Sequence, residues 1–242
     1  MLSKNESKYI QSLALKKGRE GEGLFVAEGP KIVAELLQAA PHRIQRLYAT
    51  AEWIDKNKAL PASLPVQAIT GYELEKISQL QTPNEVVALV KQFESIIPQN
   101  FSWAVYLDGV QDPGNFGTII RICDWFGVQH IVCSPGCADR YNPKVVQSTM
   151  ASIARVNVFY DETESWLQQQ HIPLFAAALD GESLYKMSRV EKGILLIGNE
   201  SKGLRPELLG RAHKKITIPR QGGAESLNAA VATGIILSHL AS

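Results

Sequence analysis

Three short stretches of this 242-residue chain carry residue types that could bind or transform a small molecule; the first two follow apolar runs and the third the end of a strand, Lys214 to Ile218. The first, Asp108-Gly-Val-Gln-Asp-Pro-Gly-Asn115, leads into a segment bearing Arg121. Asp112-Pro113-Gly114 reads as a tight turn, with Asn115 placed to cap a helix. Phe116, Ile119, Ile120 and Cys123 form the buried stripe of that helix, while Gly117, Arg121 and Asp124 share another face. Gly117 would leave room for a ligand one turn above the guanidinium; alternatively Arg121 and Asp124 form an exposed ion pair of little energetic weight. The second stretch runs the apolar Leu195-Leu-Ile into Gly198, Asn199 and Glu200, where a carboxylate either caps the next element or touches a ligand. The third passes from Ile218 and Pro219 through Gly222-Gly223 into a helix expected to begin at Ser226, a favoured N-cap residue. Its opening turns, Ala229, Ala230, Ala232, Thr233 and Gly234, are small, and the free N–H groups of a glycine-fed helix start suit a small-molecule pocket.

Other chemistries are excluded by what surrounds these residues. No Gly-Lys-Ser/Thr follows Gly198, so the loop is not a P-loop, and the Asp/Glu-Gly-x-Gly signature of Rossmann-type methyltransferases is absent. Gly18-Arg-Glu-Gly-Glu-Gly23 superficially matches a dinucleotide loop but follows a charged helical segment rather than a buried strand. Cys133 and Cys137, with His130, lack a second ligand pair, and read as core or surface cysteines rather than a metal site.

Strand–helix alternation must position the three loops. A first series runs strand 24–27, helix 30–40, strand 44–49, helix 51–57, strand 65–69, helix 71–79 and strand 86–91, after an amphipathic helix over 3–17 and a flexible turn at Gly18–Gly23. The pattern breaks near 94–100, and we place a linker at 96–102 between units 1–95 and 103–242. A second series runs strand 103–108, helix 115–127, strand 129–133, helix 143–151, strand 155–159, helix 161–170, strands 173–178 and 193–198, helix 205–211, strand 214–218 and helix 226–240. Such alternation predicts an α/β fold with a mostly parallel sheet, whose ligands sit beyond the C-terminal strand ends. Net charge is +1, so a polyanionic partner would have to meet a local patch. Residues 1–19, 140–160 and 211–220 supply basic clusters with almost no acid, which keeps RNA in view. Three cysteines, and no apolar run of membrane-spanning length, point to a cytoplasmic protein.

Together the loops resemble the SpoU-type methyltransferases of the SPOUT superfamily, of the TrmH and RlmB kind, which methylate RNA ribose 2′-hydroxyls. The first family motif is matched by Asn115 and Arg121, the second by Gly198-Asn199-Glu200, and the third by Ser226-Leu227-Asn228; Tyr141-Asn-Pro-Lys-Val-Val146 belongs to the same likeness, which covers residues 103–240. Phe25-Val-Ala-Glu-Gly29 and Thr82-Pro-Asn-Glu-Val-Val87 are similar to the small ribosomal-protein-like RNA-binding domain attached to many members. The resemblance implies a deep trefoil knot, with S-adenosyl-L-methionine held by Gly198, Asn199, Ile218, Pro219 and Leu227, and lined by Ala178, Leu179 and Gly181. Gly198 would leave space for the adenosyl group. Asn115, Arg121, Glu200, Ser226 and Asn228 are the implied catalytic set, in a homodimer whose sites lie at the interface. No metal or membrane is implied. Ribosomal RNA is the favoured substrate, with transfer RNA, or a non-catalytic RNA-binding member of the fold, as alternatives. The family often has Ser-Met-Gly-Ser where this chain has Thr149-Met-Ala-Ser152, so a glycine is lost in a loop near the substrate.

Overall fold

A computed structural model describes residues 1–241. Ser3 caps α1 (Lys4–Ser12), accepting the Glu6 N–H, as its spacing from Glu6 predicts. The expected single helix over 3–17 breaks at Leu13–Leu15, and the glycine-rich stretch expected as a turn lies mostly in α2 (Lys16–Glu22). Buried Arg19 explains the break: its Nη1 donates to the carbonyls of Leu13 and Ala14, groups that the end of α1 leaves without helical partners. There follow β1 (Leu24–Glu28), α3 (Pro30–Ala39), β2 (Ile44–Ala49), α4 (Ala51–Lys56), β3 (Val66–Ala68), α5 (Gly71–Ile77) and β4 (Val86–Lys91).

The second series is β5 (Trp103–Asp108), α6 (Pro113–Trp125), β6 (His130–Cys133), α7 (Pro143–Thr149), β7 (Asn157–Tyr160), β8 (Leu174–Ser183), β9 (Gly193–Gly198), α8 (Pro206–Arg211), β10 (Lys214–Thr217) and α9 (Ala229–Leu240). The helix expected over 161–170 is absent; only a 3-10 turn, Leu167–Gln169, forms there. Asp161 accounts for this, because its buried carboxylate draws the N–H groups of Ser165 and Trp166 into a local turn that competes with helix.

The chain divides into two compact units, one of residues 1–93 with 141–154, the other of residues 94–140 with 155–242. In the first, a four-stranded sheet of order β1-β4-β2-β3 is buried on both faces. Successive residues of β1 alternate between them: Phe25 and Ala27 pack with Ile32, Leu36, Leu47 and Trp53, whereas Leu24 and Val26 pack with Ile10, Leu13, Leu74 and Ile77. The segment Tyr141–Ala154, which the sequence pattern puts in the second series, is packed into the first of these cores. The Tyr141 ring stacks on Phe25 at 4.8 Å, and its hydroxyl accepts from Phe93 N and donates to Phe93 O. After α7 the backbone turns through Met150 (φ 48°) and Ala151 (φ 70°), the region that glycine enters without penalty.

The second unit holds a six-stranded sheet, order β10-β8-β9-β5-β6-β7, in which every pairing is parallel. Its central strands β5 and β9 are the apolar runs Trp103–Leu107 and Ile194–Ile197, buried as parallel strands covered on both faces must be. All three chemistry-bearing loops leave the C-terminal ends of β5, β9 and β10.

Candidate active site

The loop after β5 enters α6 with Asp112, not Asn115, as the N-cap: the Asp112 carboxylate accepts the Asn115 N–H at 2.7 Å, and Pro113 opens the helix. This correction frees the Asn115 side chain. Arg121, four residues past Gly117, is exposed and makes no hydrogen bond or ion pair among the described residues. The alternative pairing with Asp124 is not formed, because Asp124 meets Arg155 at 2.8 Å. Gly117, expected to leave an opening beside the guanidinium, is itself buried.

After β9 the chain makes a tight turn closed by two backbone bonds between Asn199 and Gly203. The Asn199 Oδ1 accepts from Ser201 and Lys202 N–H, and its Nδ2 donates to Gly109 O at 2.7 Å. Gly198 is required for a reason other than ligand space: a Cβ there would lie 2.2 Å from the carbonyl carbon of Gly203 and 2.3 Å from the nitrogen of Leu204. The glycine admits the returning backbone.

Within this turn the Glu200 carboxylate points back to the first loop. It accepts from Asn115 Nδ2 (3.1 Å), Asp112 N (3.3 Å) and, at 3.5 Å, Gln111 N. The third loop completes the set. Asn228, not Ser226, caps α9, its Oδ1 accepting from Ala230 and Val231 N–H, while its Nδ2 donates to Asn115 Oδ1 at 2.6 Å. The amide orientations follow from chemistry: a carboxylate only accepts and a helix start only donates, so both asparagines must align in one sense between them. Three loops far apart in sequence thus meet in one polar chain, Glu200–Asn115–Asn228, anchored at the N-terminus of α9.

Residues 102–238 match the model of the SpoU rRNA methylase family. The chain belongs to that family. Residues 4–88 match the MRM3-like substrate binding domain. The chain is 29% identical to the 23S rRNA (guanosine(2553)-2′-O)-methyltransferase RlmP of Bacillus subtilis, covering 95% of this chain and 93% of that protein. Among solved structures it is similar to a TrmH-family chain from Porphyromonas gingivalis, with 37% identity, a TM-score of 0.83 and coverage of 98% and 97%. The AdoMet-bound rRNA methyltransferase from Sinorhizobium meliloti superposes with a TM-score of 0.83 at 31% identity, over 98% of this chain and 94% of that one.

The residues that the SpoU resemblance assigns to the cofactor sit along the same sheet edge. In the β8–β10 ladder Lys215 faces Ala176 but Ile216 faces Glu182, so residues 177–181 bulge out of the sheet. The bulge carries Ala178, half-buried, and Leu179, which is 75% exposed. It closes at Gly181, where a Cβ would lie 2.6 Å from the backbone of Lys215 and Ile216. Ile218 is half-buried and Pro219 exposed just past β10; Leu227 is 49% exposed. Ser226 lies in the exposed stretch before Asn228, and its hydroxyl makes no hydrogen bond among the described residues. The sequence reading missed the capping role of Asp112, although an Asp before Pro is a helix-start signal. Burial pushes the thiols of Cys123 and Cys133 well up, so they are inert core groups. Among the described residues no group of three or more His, Cys, Asp or Glu is placed to hold a metal ion.

Proposed function

We propose that this protein methylates a ribose 2′-hydroxyl of structured RNA, ribosomal RNA in the first instance, with S-adenosyl-L-methionine as donor. The observation that carries the reading is the Glu200–Asn115–Asn228 chain, in which residues of all three SpoU motifs are joined by direct bonds. The bound donor supplies a sulfonium methyl open to attack by the ribose oxygen. Gly198, Asn199, Ile218, Pro219 and Leu227, with Ala178, Leu179 and Gly181, hold it. Arg121 is the exposed cation of the site, without a bond among the described residues, suited to a backbone phosphate and to negative charge developing on the 2′-oxygen. Glu200, Asn115 and Asn228 fix the loops, and Ser226 contacts the ribose. Residues 1–95 bind RNA, as supported by the match to a substrate binding domain, and residues 103–242, apart from the segment 141–154 that packs into the first unit, form the transferase domain after a linker at 96–102.

The protein acts in the cytoplasm as a homodimer whose methyltransferase fold is a deep trefoil knot. The knot is supported by family membership and by the small residues of α9. The dimer is supported by α9, apolar nearly all round yet half-exposed at Val231, and by Trp125 on α6, 82% exposed. Tritium transfer from labelled donor to RNA, followed by nuclease digestion, tests the reaction. A labelled 2′-O-methyl nucleoside is expected. Calorimetric binding of the donor without transfer to any ribosomal or transfer RNA would leave only a binding protein.

A further inference from the structure

We infer that the pair Asp108–Arg205 is a positioning device for this reaction, setting the height of the loop that carries Glu200. The inference rests on the proposed methyl transfer for its kinetic test, but its structural test does not. Asp108 ends the central strand β5 and is 4% exposed, so its carboxylate needs partners. Oδ1 accepts Arg205 Nε at 2.7 Å and Ser134 Oγ at 3.3 Å, and Oδ2 accepts the Arg205 backbone N–H at 2.9 Å. Ser134 in turn accepts the Gly109 N–H at 3.0 Å. The outer face of the guanidinium meets Glu164, with Nη1 at 3.0 Å. One arginine therefore ties together the loops that follow β5, β6, β7 and β9.

Its position makes the assignment more than a surface ion pair. Arg205 occupies the N-cap site of α8, where Ser, Thr, Asp or Asn would cap the helix, and its side chain makes no capping bond. It reaches back to β5 instead. The loop 199–205 is consequently held at both ends on the end of β5 and the residue after it, by Arg205 on Asp108 and by Asn199 on Gly109 O. Glu200 lies between these anchors. Arg205→Ala keeps the bonds of the Asn199–Gly203 turn and the backbone N–H bond to Asp108 Oδ2, but removes the guanidinium bonds to Asp108 Oδ1 and Glu164 that clamp the far end of the loop. The turn should then pivot on Asn199, which stays on Gly109 O, so that Glu200 moves off Asn115 more than Gly198 and Asn199 move.

The test uses the full chain with Arg205→Ala and Asp108→Asn. With saturating RNA and donor, kcat should fall about 10²-fold, the cost of misplacing a positioned group by about 1 Å. Donor affinity, measured calorimetrically, should change little. Millimolar guanidinium should restore much of the activity of Arg205→Ala by occupying the emptied, half-exposed place between Asp108 and Glu164. Hydrogen exchange, which needs neither RNA nor activity, should quicken in 109–115 and 199–205 of Arg205→Ala but not in 229–240. Should Asp108→Asn fail to fold, Arg205→Ala decides alone. Unchanged exchange in both loops would overturn the inference, whether or not the wild-type chain transfers methyl groups. So would wild-type kcat in the variants, or kcat and donor affinity falling in parallel without rescue.

Discussion

Gly198→Ala separates two reasons for having a glycine at the tip of β9. If the position left room for a ligand, a methyl group would weaken donor binding and leave the fold untouched. The geometry requires more. A Cβ at Gly198 would stand 2.2 Å from Gly203 C and 2.3 Å from Leu204 N, whereas carbon atoms rest at about 3.5–4 Å. The returning backbone must retreat by more than about 1 Å, straining the two Asn199–Gly203 bonds of 3.1 and 2.8 Å. Overpacking of this kind costs about 1–3 kcal/mol, and each bond lost about 1 kcal/mol more. For a chain of this size the melting temperature should fall by about 5–15 °C. The same movement carries Glu200 off Asn115, so transfer activity should fall about 10²-fold. Gly203→Ala is the control: its φ of 71° is unfavourable for alanine, but a Cβ there meets nothing within 4 Å, so only about 1–2 kcal/mol is at stake. Thermal melting, donor calorimetry and methyl incorporation on the two variants decide. A Gly198→Ala protein that melts like wild type and loses only donor affinity would refute the packing argument.

Three other perturbations have defined outcomes. Burial pushes the Glu28 carboxyl up from its ordinary value, outweighing the downward pull of its bonds from Ser78 and Gln79, so the folded chain holds this proton more tightly than the unfolded one and loses stability as pH rises through that range. Glu28→Gln should therefore melt higher than wild type at pH 7 and lose the advantage below about pH 4, as a melting series across pH would show. Residues 101–242 alone should be aggregation-prone, because Tyr141, Val146, Ala151 and Ile153 lose the core of the first unit; a soluble monomer by light scattering would contradict this. Ala151→Gly should be nearly neutral: relief of about 1–2 kcal/mol of left-handed strain is offset by about 0.8 kcal/mol for the buried methyl and about 0.5–1 kcal/mol of chain entropy, and a melting shift beyond about 4 °C either way would show one term misjudged.

The sequence made the strands legible because a parallel sheet covered on both faces turns Trp103–Leu107 and Ile194–Ile197 into unbroken apolar runs. It made the polar residues of the first two loops legible because each follows such a run; the third follows β10, Lys214–Thr217, and is marked instead by Pro219 and Gly222-Gly223. What it could not settle were choices between residues of similar local propensity. Ser226 and Asn228 are both good N-caps, and Asn228 is used because its amide nitrogen, free while the oxygen caps the helix, donates to Asn115, 113 residues away. Asp112 and Asn115 differ in the same way, since only one can cap α6 while the other reaches Glu200. The helix expected over 143–151 forms over Pro143–Thr149 and stops at left-handed Met150 and Ala151; periodicity does not say which core a helix serves, and Tyr141 is matched to Phe25 across 116 residues of sequence. The Asp108–Arg205 pair, 97 residues apart, left no local pattern at all.

The hydrogen-bond inventory of the site also assigns its labour. Glu200 already receives three N–H groups, and Asn115 and Asn228 are turned toward their neighbours in the only sense that satisfies both ends of the chain. Such groups are preorganised; their service is to hold three loops in register, and using them to bind ribose would mean breaking bonds already made. Arg121 and Ser226 are the members of the implied catalytic set with no internal partner among the described residues. A guanidinium without a partner, on the rigid helix α6, keeps all its donors for an incoming phosphate or alkoxide. Leu179 and Leu227 are likewise exposed, 75% and 49%, and so keep their apolar surface for a ligand in the proposed reading.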